Sequence, residues 1–154
     1  MTLWWHEFEG NSSLVQGNSL VQPIRFQIPR GYSEYGLSQY NQITLNMGPD
    51  QAQFLEWFRN LEKKLIGYNI APGFALESRV KEETNAITVK YVDGFSQVFD
   101  SKDILMIDGH SFKECELDCI VEIDKVYSLN GNTGITCKIF QTRIFPRDDV
   151  CLFA

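Results

Sequence analysis

The residues best suited to chemistry gather around one turn. In VYSLNGNTGITCKIF (126–140), Tyr127 stands just before an Asn- and Gly-rich turn, with Lys125 two positions earlier and Lys138 beyond the turn. An aromatic ring at a surface offers a face on which a nucleobase can stack, and nearby ammonium groups offer point charges to phosphates. Lys90 and Tyr91 repeat the pairing of a cation with an aromatic, and Arg143 adds a cation on the stretch after the turn. The expected contacts are therefore stacking by Tyr127 and Tyr91, and phosphate binding by Lys90, Lys125, Lys138 and Arg143. Each stacked base would contribute on the order of 1–3 kcal/mol. Tyr32, Tyr35 and Tyr40 also lie in polar surroundings and are further candidates for exposure. The competing reading of any one of these tyrosines is a buried ring with a wet hydroxyl.

Bond-making chemistry finds little support. His6 and His110 are the only histidines. Asp108, His110 and Ser111 are close along the chain, but sequence neighbours do not make a triad in space. DGH reads as a turn. No glycine-rich phosphate loop, H-E-x-x-H or G-x-S-x-G occurs. No enzymatic activity and no cofactor are expected. The four cysteines, Cys115, Cys119, Cys137 and Cys151, form no C-x-x-C pair. Their reading is reduced, buried thiols rather than metal ligands, although a zinc site combining some of them with His110 stays open.

Composition bounds these readings. A chain of 154 residues with 44% hydrophobic and 13% aromatic content is expected to be one globular domain, 1–154, with a sizeable core. No stretch reaches the roughly 20 apolar residues of a membrane span. MTLWWHEFEG lacks a basic and then apolar leader pattern, so an intracellular protein is expected. The formal net charge of −6 runs against phosphate binding, which needs a basic footprint. The charge is uneven, however. Glu114, Glu116, Asp118, Glu122 and Asp124 crowd one stretch, whereas Arg79, Lys81 and Lys90 face only Glu82 and Glu83 in another. An acidic whole can carry a local basic groove.

The elements that must position these residues are mostly strands. GNSSLVQ followed by GNSLVQ (10–22) gives two turn-plus-apolar steps, read as a small hairpin or a slipped duplication in a loop. PIRFQIP (23–29) alternates as a half-buried strand, the Tyr-rich segment 30–42 reads as a loop, and ITLNM (43–47) ends a second strand. One helix is expected over 48–67, with Pro49 at its first position, an apolar face of Phe54, Leu55, Phe58, Leu61, Leu65 and Ile66, and Gly67 at its end. Trp57 lies off that stripe. Segments 73–80 and 85–92 read as a hairpin joined by KEET, and 96–100 and 103–108 as shorter strands. A long arm follows, in which Cys115, Leu117, Cys119, Val121 and Ile123 alternate with acidic residues, with 135–145 as its return strand. One main helix among seven or eight short strands predicts a mostly β fold, an OB-like antiparallel β-barrel with the helix capping one opening.

The element order is a strand ending in I-T-L, a helix, a hairpin, a connector and a long terminal hairpin. In that last hairpin an aromatic precedes the Asn-Gly turn, and Gly134 and Lys138 follow it. This resembles the single-stranded DNA-binding proteins of T7-like phages and of some large DNA viruses, over roughly residues 39–146. The resemblance implies an OB-fold that coats single-stranded DNA in replication and recombination. It implies that Tyr127, Lys125 and Lys138 meet the strand and that Lys90 and Tyr91 face the groove. The expected partners are then single-stranded DNA and other replication proteins, with no membrane. DNA against RNA, site size and oligomeric state, a homodimer included, stay open. The alternative is an OB-like protein-interaction module that binds no nucleic acid, its acidic strand face recruiting a basic partner or shielding an edge.

Overall fold

The computed structural model describes residues 15–16, 19–67, 73–107 and 111–146, with side chains from Pro23 onward. Trp4, Trp5, His6, the DGH turn, Cys151 and the chain after Pro146 lie outside these residues.

The described chain is mostly strand with one α-helix. A short strand β1 (Val15–Gln16) pairs antiparallel with the start of β2 (Ser19–Ser33), Val15 opposite Leu20 and Gln16 opposite Ser19. β3 (Gln42–Asn46) follows a short connection. A single 3-10 turn at Pro49–Gln51 leads into helix α1 (Ala52–Gly67). Then come β4 (Ala75–Leu76), β5 (Val80–Lys81), β6 (Ala86–Lys90), β7 (Gln97–Phe99) and β8 (Leu105–Met106). The chain continues with β9 (Cys115–Leu129), β10 (Asn132–Ile135) and β11 (Lys138–Pro146).

Five strands carry the architecture. β9 pairs antiparallel with both β2 and β11, β2 with β3, and β3 with β6. β6 and β11 meet in parallel at Lys90 and Lys138, where the Lys90 N–H donates to the Cys137 carbonyl at 2.9 Å. Each of the five thus pairs with two others of the set. Period-2 alternation fixes which residues go inside. Ile43 and Leu45, Ile87 and Val89, Leu117, Cys119, Val121 and Ile123, and Ile139 and Ile144 are all buried. Helix α1 lays Phe54, Leu55, Phe58, Leu61, Leu65 and Ile66 against that interior. Each such side chain contributes roughly 1.5–3 kcal/mol on full burial. Trp57 extends the contact at the margin, its ring edge-on to Phe26 at 5.2 Å.

Three strand expectations change. The strand at 23–29 runs on to Ser33. Gly31 permits this, because a Cβ there would sit 2.9 Å from the Leu45 Cβ. Residues 73–80 are not one strand. β4 instead pairs in parallel with β10, and only Val80–Lys81 pair with β6. The return strand after the turn is two strands, broken at Thr136 and Cys137 so that β10 stays with β9 while β11 reaches β6 and β7.

Candidate nucleic-acid interface

The outward faces of β3 and β6 form a polar floor. Because Ile43, Leu45, Ile87 and Val89 point inward, Gln42, Thr44, Thr88 and Lys90 point outward. They pair across the two strands, Gln42 with Lys90 and Thr44 with Thr88. Two concavities open over this floor, of about 450 Å³ toward the β9–β10 hairpin and about 550 Å³ toward the loop after β2. Both are lined by Gln42, Glu77, Arg79 and Thr88, so they form one groove. The groove gathers five cations, Arg79, Lys81, Lys90, Lys125 and Lys138, against two carboxylates, Glu77 and Asp124. It is locally basic on a chain whose net charge is −6.

Four of the six expected contact residues line this groove together: Lys90, Lys125, Tyr127 and Lys138. Lys90 and Lys125 are exposed and make no ion pair among the described residues. The Lys138 ammonium is engaged, 3.0 Å from Asp124 Oδ2, 3.7 Å from Glu122 Oε2 and 4.4 Å from the centre of the Phe95 ring. Burial pushes the Asp124 carboxyl up, but hydrogen bonds from Thr136 and Lys138 outweigh this and hold it below the usual aspartate range.

Tyr127 is half-buried. Its hydroxyl donates to Glu77 Oε1 and accepts from Arg79 Nη2 at 2.9 Å. Burial, then the bond to Glu77, raises the phenol to about 12. Arg79 Nη2 also donates to Glu77 Oε1 at 2.9 Å. The stretch carrying Arg79 is fastened to helix α1 by Glu62, which is 0% exposed. The Glu62 carboxylate accepts from Ser78 Oγ at 2.6 Å and from the Arg79 N–H at 2.7 Å. Burial raises its pKa despite these bonds.

The other two expected residues lie elsewhere. Tyr91 follows β6 and turns its ring toward Phe112, 5.7 Å between centroids, packing against the core rather than the groove. Arg143 lies on the outward face of β11. Its Nη1 donates to Asp103 at 2.7 Å and its Nη2 to Asp118 at 3.0 Å. Asp118 also receives a bidentate pair from Arg30, at 2.8 and 3.0 Å. Burial pushes Asp118 up, but the bonds from Arg30 and Arg143 prevail and hold it low. The expected acidic strand face is thus largely neutralised from within. Glu122 takes Arg25 at 2.7 Å, and Arg25 and Arg30 stack on Phe140 and Phe145 at 3.8 and 3.9 Å.

Three groove residues were absent from the expected contact set: Tyr40, Arg79 and Lys81. Tyr40 is 69% exposed at the groove's far end. Its loop is held in place. Ser38 Oγ accepts the N–H groups of Tyr40 and Gln42 at 3.1 and 3.2 Å, and the Ser38 N–H donates to the Gln42 carbonyl at 2.9 Å. Asn41 takes positive φ to complete the turn. The sequence signals were present, a tyrosine in a Gly/Ser-rich stretch and a basic cluster at 79–90. Joining them required the β3–β6 register.

Cys115, Cys119 and Cys137 are free and buried. Among the described residues no group of three His, Cys, Asp or Glu side chains could hold a metal ion, and no helix is long and apolar enough to cross a membrane.

No family model and no curated protein matches the chain. Solved structures do. Gp2.5, a single-stranded DNA-binding protein encoded by bacteriophage T7, aligns with a TM-score of 0.57 at 11% identity, over 82% of this chain and 96% of that one. A C-terminally truncated single-stranded DNA-binding protein from bacteriophage Enc34 aligns with a TM-score of 0.58 at 12% identity, over 96% of this chain and 95% of that one. The mostly β chain with one helix therefore shares its fold with these phage single-stranded DNA-binding proteins, as the terminal hairpin led one to expect.

Proposed function

We propose that this protein binds single-stranded DNA without sequence specificity, in the groove over β3 and β6, and that its five-strand set is an OB-like barrel. The observation that carries the reading is the gathering of Arg79, Lys81, Lys90, Lys125 and Lys138 with Tyr40 and Tyr127 along one groove of an acidic protein. OB-folds bind oligonucleotides on the outer face of their second and third strands, between the first and last hairpin loops. In pairing order, β3 and β6 occupy that position here. The fold neighbours, both single-stranded DNA-binding proteins, support the choice of ligand. Phosphates would run along Lys90, Lys125, Lys81 and Arg79, with Lys138 joining on release from Asp124, and bases would stack on Tyr40 and the accessible side of Tyr127. Coating of this kind serves replication and recombination, alongside other replication proteins. No reaction is catalysed.

Charge reversal tests the groove. Lys90→Glu combined with Lys125→Glu should abolish gel-shift binding of a single-stranded oligonucleotide while leaving the melting temperature within a few degrees, because both side chains are exposed. Parental binding by that variant would remove the groove from the account.

The second reading, a protein-interaction module, is favoured by a different surface. Ile104, Leu105 and Ile107 are exposed around the β7–β8 edge, Ile107 to 88%. Such a cluster on an edge strand fits pairing with another chain. It is compatible with DNA binding and becomes the main reading if the groove binds nothing.

A further inference from the structure

Glu62 is an anomaly in its helix. Every other buried residue of α1 is hydrophobic, yet this carboxylate is completely enclosed on the same face. Enclosing a charge costs several kcal/mol unless it is matched, and a leucine or methionine would fill the position without that cost. The matching groups are informative. Glu62 reaches off the helix to the Ser78 hydroxyl and the Arg79 N–H, both on the irregular stretch leading into β5. The Ser78 hydroxyl accepts in turn from the Val80 N–H at 3.0 Å. Arg59 on the same helix pairs with Glu82 just past β5. The segment that crosses the groove wall is thus clamped to α1, and Glu62 is the clamp nearest Arg79.

The consequence for Arg79 is geometric. Its Nε is buried without a hydrogen-bond partner, and its Nη2 holds Glu77 and the Tyr127 hydroxyl. Its Nη1 has no hydrogen-bond partner among the described residues, while the side chain lines both halves of the groove. With Nη2 held by Glu77 and the Tyr127 hydroxyl and Nε enclosed, the guanidinium can present Nη1 to the groove only from the position its backbone anchor allows.

Resting on the single-stranded DNA reading, we infer that Glu62 is a positioning residue of the groove: through its bond to the Arg79 N–H it sets the guanidinium that meets the phosphate backbone at the junction of the two concavities. It touches no ligand itself. Glutamine can keep an acceptor on the Arg79 N–H only by turning its N–H donors to the Ser78 hydroxyl, which reverses that bond and leaves the Ser78 proton without the acceptor it has in the parent.

The experiment is a salt-dependence series of single-stranded oligonucleotide binding for the parent, Glu62→Gln, Arg79→Ala and the double variant, with folding followed by circular dichroism. Arg79→Ala should make the slope of log K against log salt shallower by about 0.7, the loss of one phosphate contact. Glu62→Gln should give a comparable loss, with no further change when added to Arg79→Ala. Should Glu62→Gln unfold, Glu62→Asp withdraws the carboxylate by one methylene and should show the same loss. A folded Glu62 variant with the parental slope, or additive losses in the double variant, would overturn the inference. The Arg79 Nε–Hε resonance, slow to exchange in the parent and fast in Glu62→Gln, reports positioning without DNA. A parent that binds no oligonucleotide but shows this change would sink the DNA reading alone, and an unchanged resonance would sink the positioning role alone.

Discussion

Tyr127 and Gly134 stand opposite one another in the β9–β10 pair, and the phenol ring lies over the glycine. A Cβ built on Gly134 would fall 2.6 Å from the Tyr127 oxygen, 2.8 Å from its Cζ and 3.0 Å from the Glu77 carbonyl. Glycine here is a matter of space, since its φ is not positive. The absent side chain lets the ring lie against β10 and hold its hydroxyl to Glu77 and Arg79.

Gly134→Ala should therefore displace the ring and destabilise the protein by about 1–3 kcal/mol, the usual cost of overpacking. Urea unfolding measures the loss. Ultraviolet titration measures the ring, because a displaced Tyr127 should ionise nearer the ordinary tyrosine value of about 10 rather than at about 12.

Tyr40 and Tyr35 make an internal comparison. Both sit on the loop between β2 and β3 and both are exposed, at 69% and 77%. Only Tyr40 lines the groove. Tyr40→Ala should weaken single-strand binding by about 1–3 kcal/mol, the contribution of one stacked base. Tyr35→Ala should leave affinity unchanged. Equal effects from the two would mean that the loop, not the groove, meets the ligand.

Arg143 should divide stability from binding. It holds Asp118 and Asp103 on the outward face of β11 and lines no part of the groove. Arg143→Ala leaves buried Asp118 with Arg30 alone and should cost about 1–3 kcal/mol in unfolding free energy. The oligonucleotide affinity and its salt slope should not move, and a shallower slope would return Arg143 to the phosphate contacts.

Acid should act on stability in two opposed steps. Glu62 has a raised pKa when folded, so its protonation adds stability as the pH falls through that value toward about 4.3, the unfolded glutamate value. Asp118 and Asp124 have lowered values when folded. Their contribution is present above about 3.9, the unfolded aspartate value, and is lost as the pH falls through their folded values. Unfolding curves from neutral pH to about pH 2 should show a shallow gain and then a steep loss. Asp118→Asn should flatten the loss and Glu62→Gln the gain.

Helix α1 and the inward rows of β9 and β6 were legible because periodicity reports burial directly. Phe54, Phe58, Leu61 and Leu65 recur at helical spacing, and Leu117, Cys119, Val121 and Ile123 alternate. The turn was legible because Asn130 and Gly131 both adopt positive φ, as an Asn-Gly hairpin turn demands. Tyr127, Lys125, Lys138 and Lys90 came together because three of them flank that turn and the fourth pairs with Lys138 at the β6–β11 crossing. Tyr91 and Arg143 lie outside the groove, and the sequence hides this for a common reason. Polarity and spacing do not say whether a tyrosine meets a Phe112, or whether an arginine has an Asp118 from a strand many residues away. Tyr40, Arg79 and Lys81 reach the groove only through strand pairing and the Glu62 clamp. The β4–β10 pairing was hidden because two-residue strands carry no period.

The central claim is a single-strand groove on an acidic protein, and fluorescence anisotropy of a labelled oligonucleotide, single-stranded beside duplex at two salt concentrations, tests it most directly. The account predicts preferential binding to the single strand that weakens with salt by a slope of about −0.7 for each phosphate engaged. Absence of binding at low salt, or equal binding to duplex, would contradict it and direct attention to Ile104, Leu105 and Ile107 at the β7–β8 edge.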